Sequence, residues 1–361
     1  MSSALPSGTA EAGAISPQEL LLAARNHGMP LEALSYDVTP VGMHYLLIHY
    51  DVPRVDASTW RLEVDGNVAR PLSLSLDDLR ARETVSADIT FECAGNGRAL
   101  LDPRPISQPW VLEAVGTGAW TGAPLAALLA DAGIGDDAVE VLFTGLDRGV
   151  EGEVEQAYQR SLPLADALAD DVLLAFGMNG GPLPPQHGFP LRLVVPGWYG
   201  MTNVKWLSRI TLLDEPFAGY QNARGYRFRR DPDEEGTAVT RMAVRSLMVP
   251  PGIPDFATRR RFAEATAHVI EGRAWSGSGA VESVEVSDDG GATWHAAAVE
   301  EAAGPHAWQR WTFGWRPPAA GEYELCCRAT DSAGDRQPAD PPWNLGGYAN
   351  NAVQRVPVTV A

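Results

Sequence analysis

Residues 91–98 read Phe91-Glu92-Cys93-Ala94-Gly95-Asn96-Gly97-Arg98. The run before this cysteine, Thr84-Val-Ser-Ala-Asp-Ile-Thr-Phe91, mixes polar, apolar and β-branched residues, which suits a strand. The run after it carries two glycines and an asparagine, residues that tolerate left-handed turns. A cysteine is therefore expected where a strand meets a tight loop, with Arg98 five residues on. A nearby cation lowers a thiol pKa and favours thiolate. The arrangement suits the display of one thiolate to a metal or an anionic cofactor; the plain alternative is a buried structural cysteine. The chain has only 3 cysteines, so Cys93 belongs to no Cys-x-x-Cys pair.

Working outward, the first part of the chain alternates short helical and strand-like runs. Residues 19–34 suggest a short helix closed by Gly28. Residues 43–50, 59–65 and 139–144 are strand-like, as are the apolar runs 172–176 and 191–195. Ser75-Leu-Asp-Asp78 resembles a capping box, and Pro124–Ala132 a helix ended by Gly133. Pro163–Leu168 reads as another short helix. Residues 178–190, rich in glycine and proline around Gln186-His187, read as a loop. Such mixing implies an α+β domain rather than a strict βαβ wind. Residues 214–237 are charged and irregular, which places a domain boundary there.

From about residue 237 the pattern is all β. Glu282–Ser287 alternates, Asp288-Asp-Gly-Gly291 supplies a hairpin turn, and 293–295, 308–315 and 323–330 continue as strands. An immunoglobulin-like β-sandwich is expected. Cys326 and Cys327 fall in the last of these runs, Cys327 on the face of Leu325 and Ala329, and structural roles are expected for both. The organisation expected is thus an N-terminal arm with a short helix (1–34), an α+β domain (35–230) and a β-sandwich (237–361).

Composition narrows the function. A formal net charge of −18 argues against a nucleic-acid partner. No run of 18 apolar residues suggests a membrane span. An odd number of cysteines does not make a disulfide framework. Met1 to Gln18 lacks a basic n-region and a long apolar core, and reads as a flexible arm of a cytoplasmic protein. Of 28 Lys+Arg only one is lysine, Lys205. A compact ammonium suits an anion pocket, although codon bias leaves one surviving lysine equally explained.

The motif around Cys93 resembles the molybdenum-ligand motif of the sulfite oxidase family. Further elements follow in the same order: Gln108-Pro-Trp110, Gly118-Ala-Trp-Thr-Gly122, Phe143-Thr-Gly-Leu-Asp147, Leu173-Leu-Ala-Phe176-Gly-Met-Asn-Gly180, Leu183-Pro-Pro-Gln-His187-Gly-Phe-Pro-Leu-Arg192, Gly200-Met-Thr-Asn-Val-Lys205 and Pro342-Trp-Asn-Leu-Gly-Gly-Tyr-Ala-Asn-Asn-Ala352. The resemblance covers roughly residues 35–361. It implies a sulfite oxidase-type molybdopterin-binding domain followed by an immunoglobulin-like dimerisation domain, and hence a homodimer. It implies Cys93 as the one protein ligand to molybdenum, and Tyr45, His49, Asp147, His187, Arg192, Asn203, Val204 and Lys205 as holders of the molybdopterin and its phosphate. Arg98 and Phe176 would be catalytic. The reaction implied is oxygen-atom transfer, in which the cofactor does the hard chemistry and the protein supplies orientation and charge.

The substrate side departs from the pattern. Leu47 stands where the family has an arginine, Phe176 where it has a tyrosine and Gly346 where it has another arginine. Two guanidinium groups and a phenol are thus expected to be missing. Each lost charge-assisted contact would weaken oxyanion binding by about 1.5–3 kcal/mol. The family carries an Arg-Asn-His triplet where this chain has Leu47-Ile48-His49; Arg25-Asn26-His27 repeats that triplet upstream, so an N-terminal helix folding over the pocket could deliver Arg25, while simple packing of that helix through Leu21 and Leu22 explains its spacing as well. The expectation is oxidation of sulfite or a related sulfur oxyanion. The alternatives are the same chemistry on a less anionic substrate, or a cofactor-binding protein without turnover. With no haem motif, the electron acceptor would be external, either oxygen or a separate electron-transfer protein.

Overall fold

The strand Val85–Glu92 pairs antiparallel with Val115–Pro124, from Val85 opposite Gly122 to Glu92 opposite Val115. Cys93 is therefore the first residue beyond a fully registered strand. In the computed structural model, which describes residues 9–10, 15–341 and 343–361, this pair is extended by Leu173–Met178, itself paired with Arg192–Val194. A second sheet holds Leu72–Leu74, Leu62–Gly66, Leu207–Leu213, Glu140–Glu151 and Val154–Pro163 in that order. Leu207–Leu213 runs parallel to Leu62–Gly66 and antiparallel to Glu140–Glu151, so this sheet is mixed.

The two sheets and a helix, Leu125–Ala132, share one core. Leu125, Leu128, Leu129 and Ala132 are fully buried. Their i, i+3, i+4 spacing puts them on one helix face, and each fully buried leucine contributes about 1.5–3 kcal/mol. Gly133 ends this helix at φ 73°, a conformation that favours glycine. The capping box at Ser75 forms: its hydroxyl accepts from the Asp78 N–H at 3.1 Å and Asp78 Oδ2 accepts from the Ser75 N–H at 2.8 Å.

The C-terminal part is a two-sheet β structure. One sheet carries Arg245–Met248, His268–Trp275 and Gln309–Trp315; the other carries Arg261–Ala263, Gln354–Val360, Gly321–Asp331 and Val281–Ser287. Trp311, Leu325, Val358 and Cys327 lie in the shared core. Cys326 is as deeply buried as Cys327, although the two face opposite sides of their strand. Among the described residues no helix is long and apolar enough to cross a membrane.

Several local expectations need correction. The first helix, α1, spans Pro17–Arg25 and stops at Asn26, before Gly28, because Asn26 turns extended and binds elsewhere. Residues 43–50 form no strand; apart from a bridge between His27 and Leu46 they are loop, and they line the site described below. The strand expected at 139–144 runs on to Glu151 as one arm of a long hairpin. Part of the expected flexible arm, residues 1–8 and 11–14, and Pro342 of the C-terminal motif lie outside the described residues. The described part of the arm is tied down: Thr9–Ala10 pairs with Arg104–Pro105, and Glu19, fully buried, ion-pairs with Arg104.

Candidate active site

Cys93 sits where two cavities meet. Its backbone N–H donates to Ala114 and its carbonyl accepts from the Asn96 N–H, both at 2.9 Å, which closes the turn. Two glycines give this loop its shape. A Cβ on Gly95 would fall 2.5 Å from the Arg98 guanidinium, so only glycine lets that side chain fold back over the loop. Gly97 takes φ 87°, a left-handed conformation that glycine adopts without strain. Cys93 is 7% exposed rather than freely displayed. Burial pushes its thiol pKa up, and Arg98 pulls it down as the largest opposing cause. The cation acts as expected from the sequence, but desolvation outweighs it.

The inner cleft is cationic. Tyr45, His49, Cys93, Asp147, His187, Arg192, Asn203 and Lys205 line it, with His44 added. Lys205 donates from Nζ to the carbonyls of Leu47 at 2.7 Å and Gln186 at 3.2 Å. Arg192 donates to the carbonyls of His187 at 3.0 Å and Asn203 at 3.1 Å, and stacks over Phe91 and Trp120. Asn203 is held by the Val195 N–H at 2.7 Å. Burial and the neighbouring Arg192 push Lys205 down to about 7. Burial, His44, Arg192 and Lys205 push His187 down to about 2. Burial raises Asp147 to about 6 against the pull of Lys205. Two cationic side chains, Arg192 and Lys205, thus share a buried cleft with one carboxylate, and a bound anion relieves the cost of holding them there.

Val204 does not join them. In the bend that follows the turn Gly200–Thr202, Val204 turns into the hydrophobic core. Its N–H and carbonyl are both engaged, with Thr202 and Leu193. Phe176 is not brought to the site either: it packs against the same core from the strand Leu173–Met178 and lines neither cavity.

The outer cavity, of about 620 Å³, also reaches Cys93 and holds Arg98. Arg98 donates from Nε to Gly346 at 2.7 Å and from Nη1 to Gln108 at 3.2 Å, and lies over the Tyr348 ring. Here the sequence missed a group. A phenol is present, but it comes from Tyr226, whose hydroxyl is 2.6 Å from His49 Nε2. Burial, then Lys205, pushes His49 down to about 3, so its ring is neutral at neutral pH. Tyr226 follows a five-residue helical turn, Gln221–Gly225, in the irregular segment read only as a boundary. A tyrosine pair flanking that segment, Tyr220 and Tyr226, was the signal available. The glycine at 346 also has a local reason: a Cβ there would lie 2.1 Å from the Tyr348 ring.

Comparison with known proteins shows the family. An oxidoreductase molybdopterin binding domain matches residues 49–221, and a Mo-co oxidoreductase dimerisation domain matches 237–361. Sulfite oxidase of Gallus gallus is 37% identical over 350 residues, covering 88% of this chain and 72% of that protein. The chain belongs to the sulfite oxidase family. The mitochondrial sulfite oxidase of Rattus norvegicus is also 37% identical, and the match covers 90% of this chain but 62% of that protein. Nitrate reductase [NADH] 2 of Phaseolus vulgaris is 31% identical over 93% of this chain and 41% of its own length. The crystal structure of the sulfane dehydrogenase SoxCD from Paracoccus pantotrophus matches with a TM-score of 0.80 at 28% identity, covering 96% of this chain and 86% of that one.

The cleft of this sulfite oxidase family member fits molybdopterin on its own chemistry. Asp147 Oδ1 and Arg192 Nε are buried and lack hydrogen-bond partners among the described residues. One is an acceptor and the other a donor, each costly to leave unsatisfied by about 1–3 kcal/mol. A pterin N–H and a phosphate oxygen are groups that satisfy them.

Proposed function

We propose that the chain is a molybdenum-cofactor oxidoreductase that oxidises sulfite or a related sulfur oxyanion. The observation that carries this reading is Cys93 at the junction of a cationic cleft and a separate cavity holding Arg98. Arg192, Lys205, His187 and Asn203 would hold the cofactor phosphate, and Asp147 Oδ1 would accept from the pterin. Cys93 would give the single thiolate, a soft donor suited to molybdenum. When bound, the cofactor supplies the two-electron redox chemistry of oxygen-atom transfer. Arg98 attracts the anion, and the Tyr226–His49 pair offers a hydrogen-bonded proton site at the cavity wall. Electrons leave to an external acceptor, oxygen or a separate electron-transfer protein.

A second reading, a sulfur substrate carried on a larger and less anionic molecule, draws on the size of the outer cavity and on Glu151 and Glu153 in its wall. A substrate panel decides between them. Protein purified from a molybdopterin-making host is expected to carry close to one molybdenum per chain and to reduce ferricyanide with sulfite. Molybdenum-loaded protein that turns over a sulfane substrate or nitrate but not sulfite removes the first reading.

The C-terminal sandwich is proposed to pair two copies of the chain. It exposes Ile253, Phe262, Val269 and the 94% exposed Phe256, apolar area that a partner copy would cover. Phe256→Asp is expected to shift the protein from dimer to monomer in sedimentation velocity; an unchanged dimer places the interface elsewhere.

A further inference from the structure

The outer cavity has one wall that does not come from the body of the fold. Leu22 and Arg25 of α1 line it, together with Cys93 and Arg98. The leucines of the helix contribute little of the hold: Leu20 and Leu21 are exposed, Leu21 by 72%, and Leu22 is half-buried. Polar contacts hold it instead. Buried Glu19 ion-pairs with Arg104, and Ser16 and Glu19 form a capping box at the N-terminus. At the other end Asn26 donates to Gln108 Oε1 at 2.9 Å and accepts from the Ile48 N–H at 2.8 Å. Gln108 is also the residue whose carbonyl accepts from Arg98. The helix end and the Arg98 guanidinium are thus referenced to the same residue.

Arg25 is the last residue of α1, and its Nη2 donates to the His49 carbonyl at 3.2 Å. Among the described residues no carboxylate forms an ion pair with it. Arg98 spends Nε and Nη1 on carbonyls, which leaves Nη2 for a ligand. Of the two carboxylates in the cavity wall, Glu151 already accepts from Tyr50 at 3.1 Å and Gln221 at 2.7 Å.

We propose that α1 completes the substrate cavity: Arg25 delivers a second guanidinium alongside Arg98, and the two hold an anionic substrate, a sulfur oxyanion, next to Cys93. The proposal rests on the sulfur-oxyanion reading above and deepens it. Leu47, in the wall of the same cavity, brings no charge to it, and a helix end across the cavity does. Two planar forks are suited to an oxyanion's several acceptors.

The test uses the full chain loaded with molybdopterin cofactor. Sulfate, an oxyanion that is not oxidised, is titrated by calorimetry beside steady-state kinetics with sulfite. Arg25→Gln is expected to weaken sulfate binding and raise the sulfite KM by about tenfold or more, as one charged hydrogen bond would, with kcat nearly unchanged. Arg316→Gln, an exposed arginine of the C-terminal sandwich, changes net charge equally and is expected to alter neither. Arg25→Met, which keeps the aliphatic stem, replaces the Gln variant if that variant fails to load. Equal sulfate affinity in wild type and variant overturns the proposal, as does a wild type that does not bind sulfate. Arg25-dependent sulfate binding without sulfite turnover keeps the clamp and removes sulfite as the substrate.

Discussion

Cys93→Ser is expected to reduce sulfite-dependent ferricyanide reduction by roughly a thousandfold or more, a loss of about 4 kcal/mol in transition-state stabilisation. The fold should survive, because the substitution removes a sulfur from a site already ordered by backbone bonds to Ala114 and Asn96. The pterin should survive too. Its proposed holders, Arg192, Lys205, His187 and Asn203, lie in the cleft and none depends on the Cys93 side chain. The serine hydroxyl is a hard donor that stays protonated at neutral pH, so it cannot replace a soft thiolate. Pterin content near wild type with lost turnover is the expected pair of results. Unchanged turnover removes Cys93 as the ligand; lost pterin shows that the thiol holds the cofactor as well as tuning it.

The sequence made the sheets of the two parts legible where hydrophobic alternation met a turn signal. Glu282–Ser287 with its Asp-Gly turn is one case, and the helix ended by Gly133 is another. It failed at residues 43–50, which carry a strand's composition but are taken up by side-chain business: the Leu47 carbonyl accepts from Lys205 and the Ile48 N–H donates to Asn26. Backbone groups used in that way cannot also form a ladder. At the site, the strand-to-loop pattern located Cys93, whereas the residues of the cationic cleft came from the resemblance of short, ordered motifs to the sulfite oxidase family. Tyr226 was missed because it comes from an irregular segment, 133 positions beyond Cys93 in the numbering, where no periodicity points inward. Phe176 was misplaced for the opposite reason. Its segment is strongly patterned, and alternation along Leu173–Met178 sends it to the core. Position in a motif identifies a segment; which face of the segment reaches the cavity is settled by three-dimensional packing.

The residue beside Cys93 links the site to the C-terminal sandwich. Glu92 is buried and accepts from Arg245 Nη1 at 2.6 Å, Asn96 Nδ2 at 3.0 Å and Trp275 Nε1 at 2.9 Å. Asn96 belongs to the Cys93 loop, whereas Arg245 and Trp275 lie opposite each other on paired strands of the sandwich. Both members of the ion pair are 2% exposed at the side chain, so neither can turn to water when the other is removed. Arg245→Met is therefore expected to destabilise the protein by about 3–5 kcal/mol, the usual penalty for stranding one buried charge. Melting should fall by roughly 5–10 °C. Removing both charges, with Glu92→Gln added to Arg245→Met, should recover much of that loss, because the amide oxygen still accepts from Trp275 and no uncompensated charge remains. A double variant no more stable than the single one would show that shape rather than charge sets the cost. The same network should make turnover sensitive: with Arg245 gone, Glu92 retains only neutral donors, and the loop that carries Cys93 loses its one charged tie to the sandwich while keeping that of Trp275. Differential scanning calorimetry and ferricyanide reduction on the same samples separate the two effects, since the double variant is expected to regain stability before it regains rate.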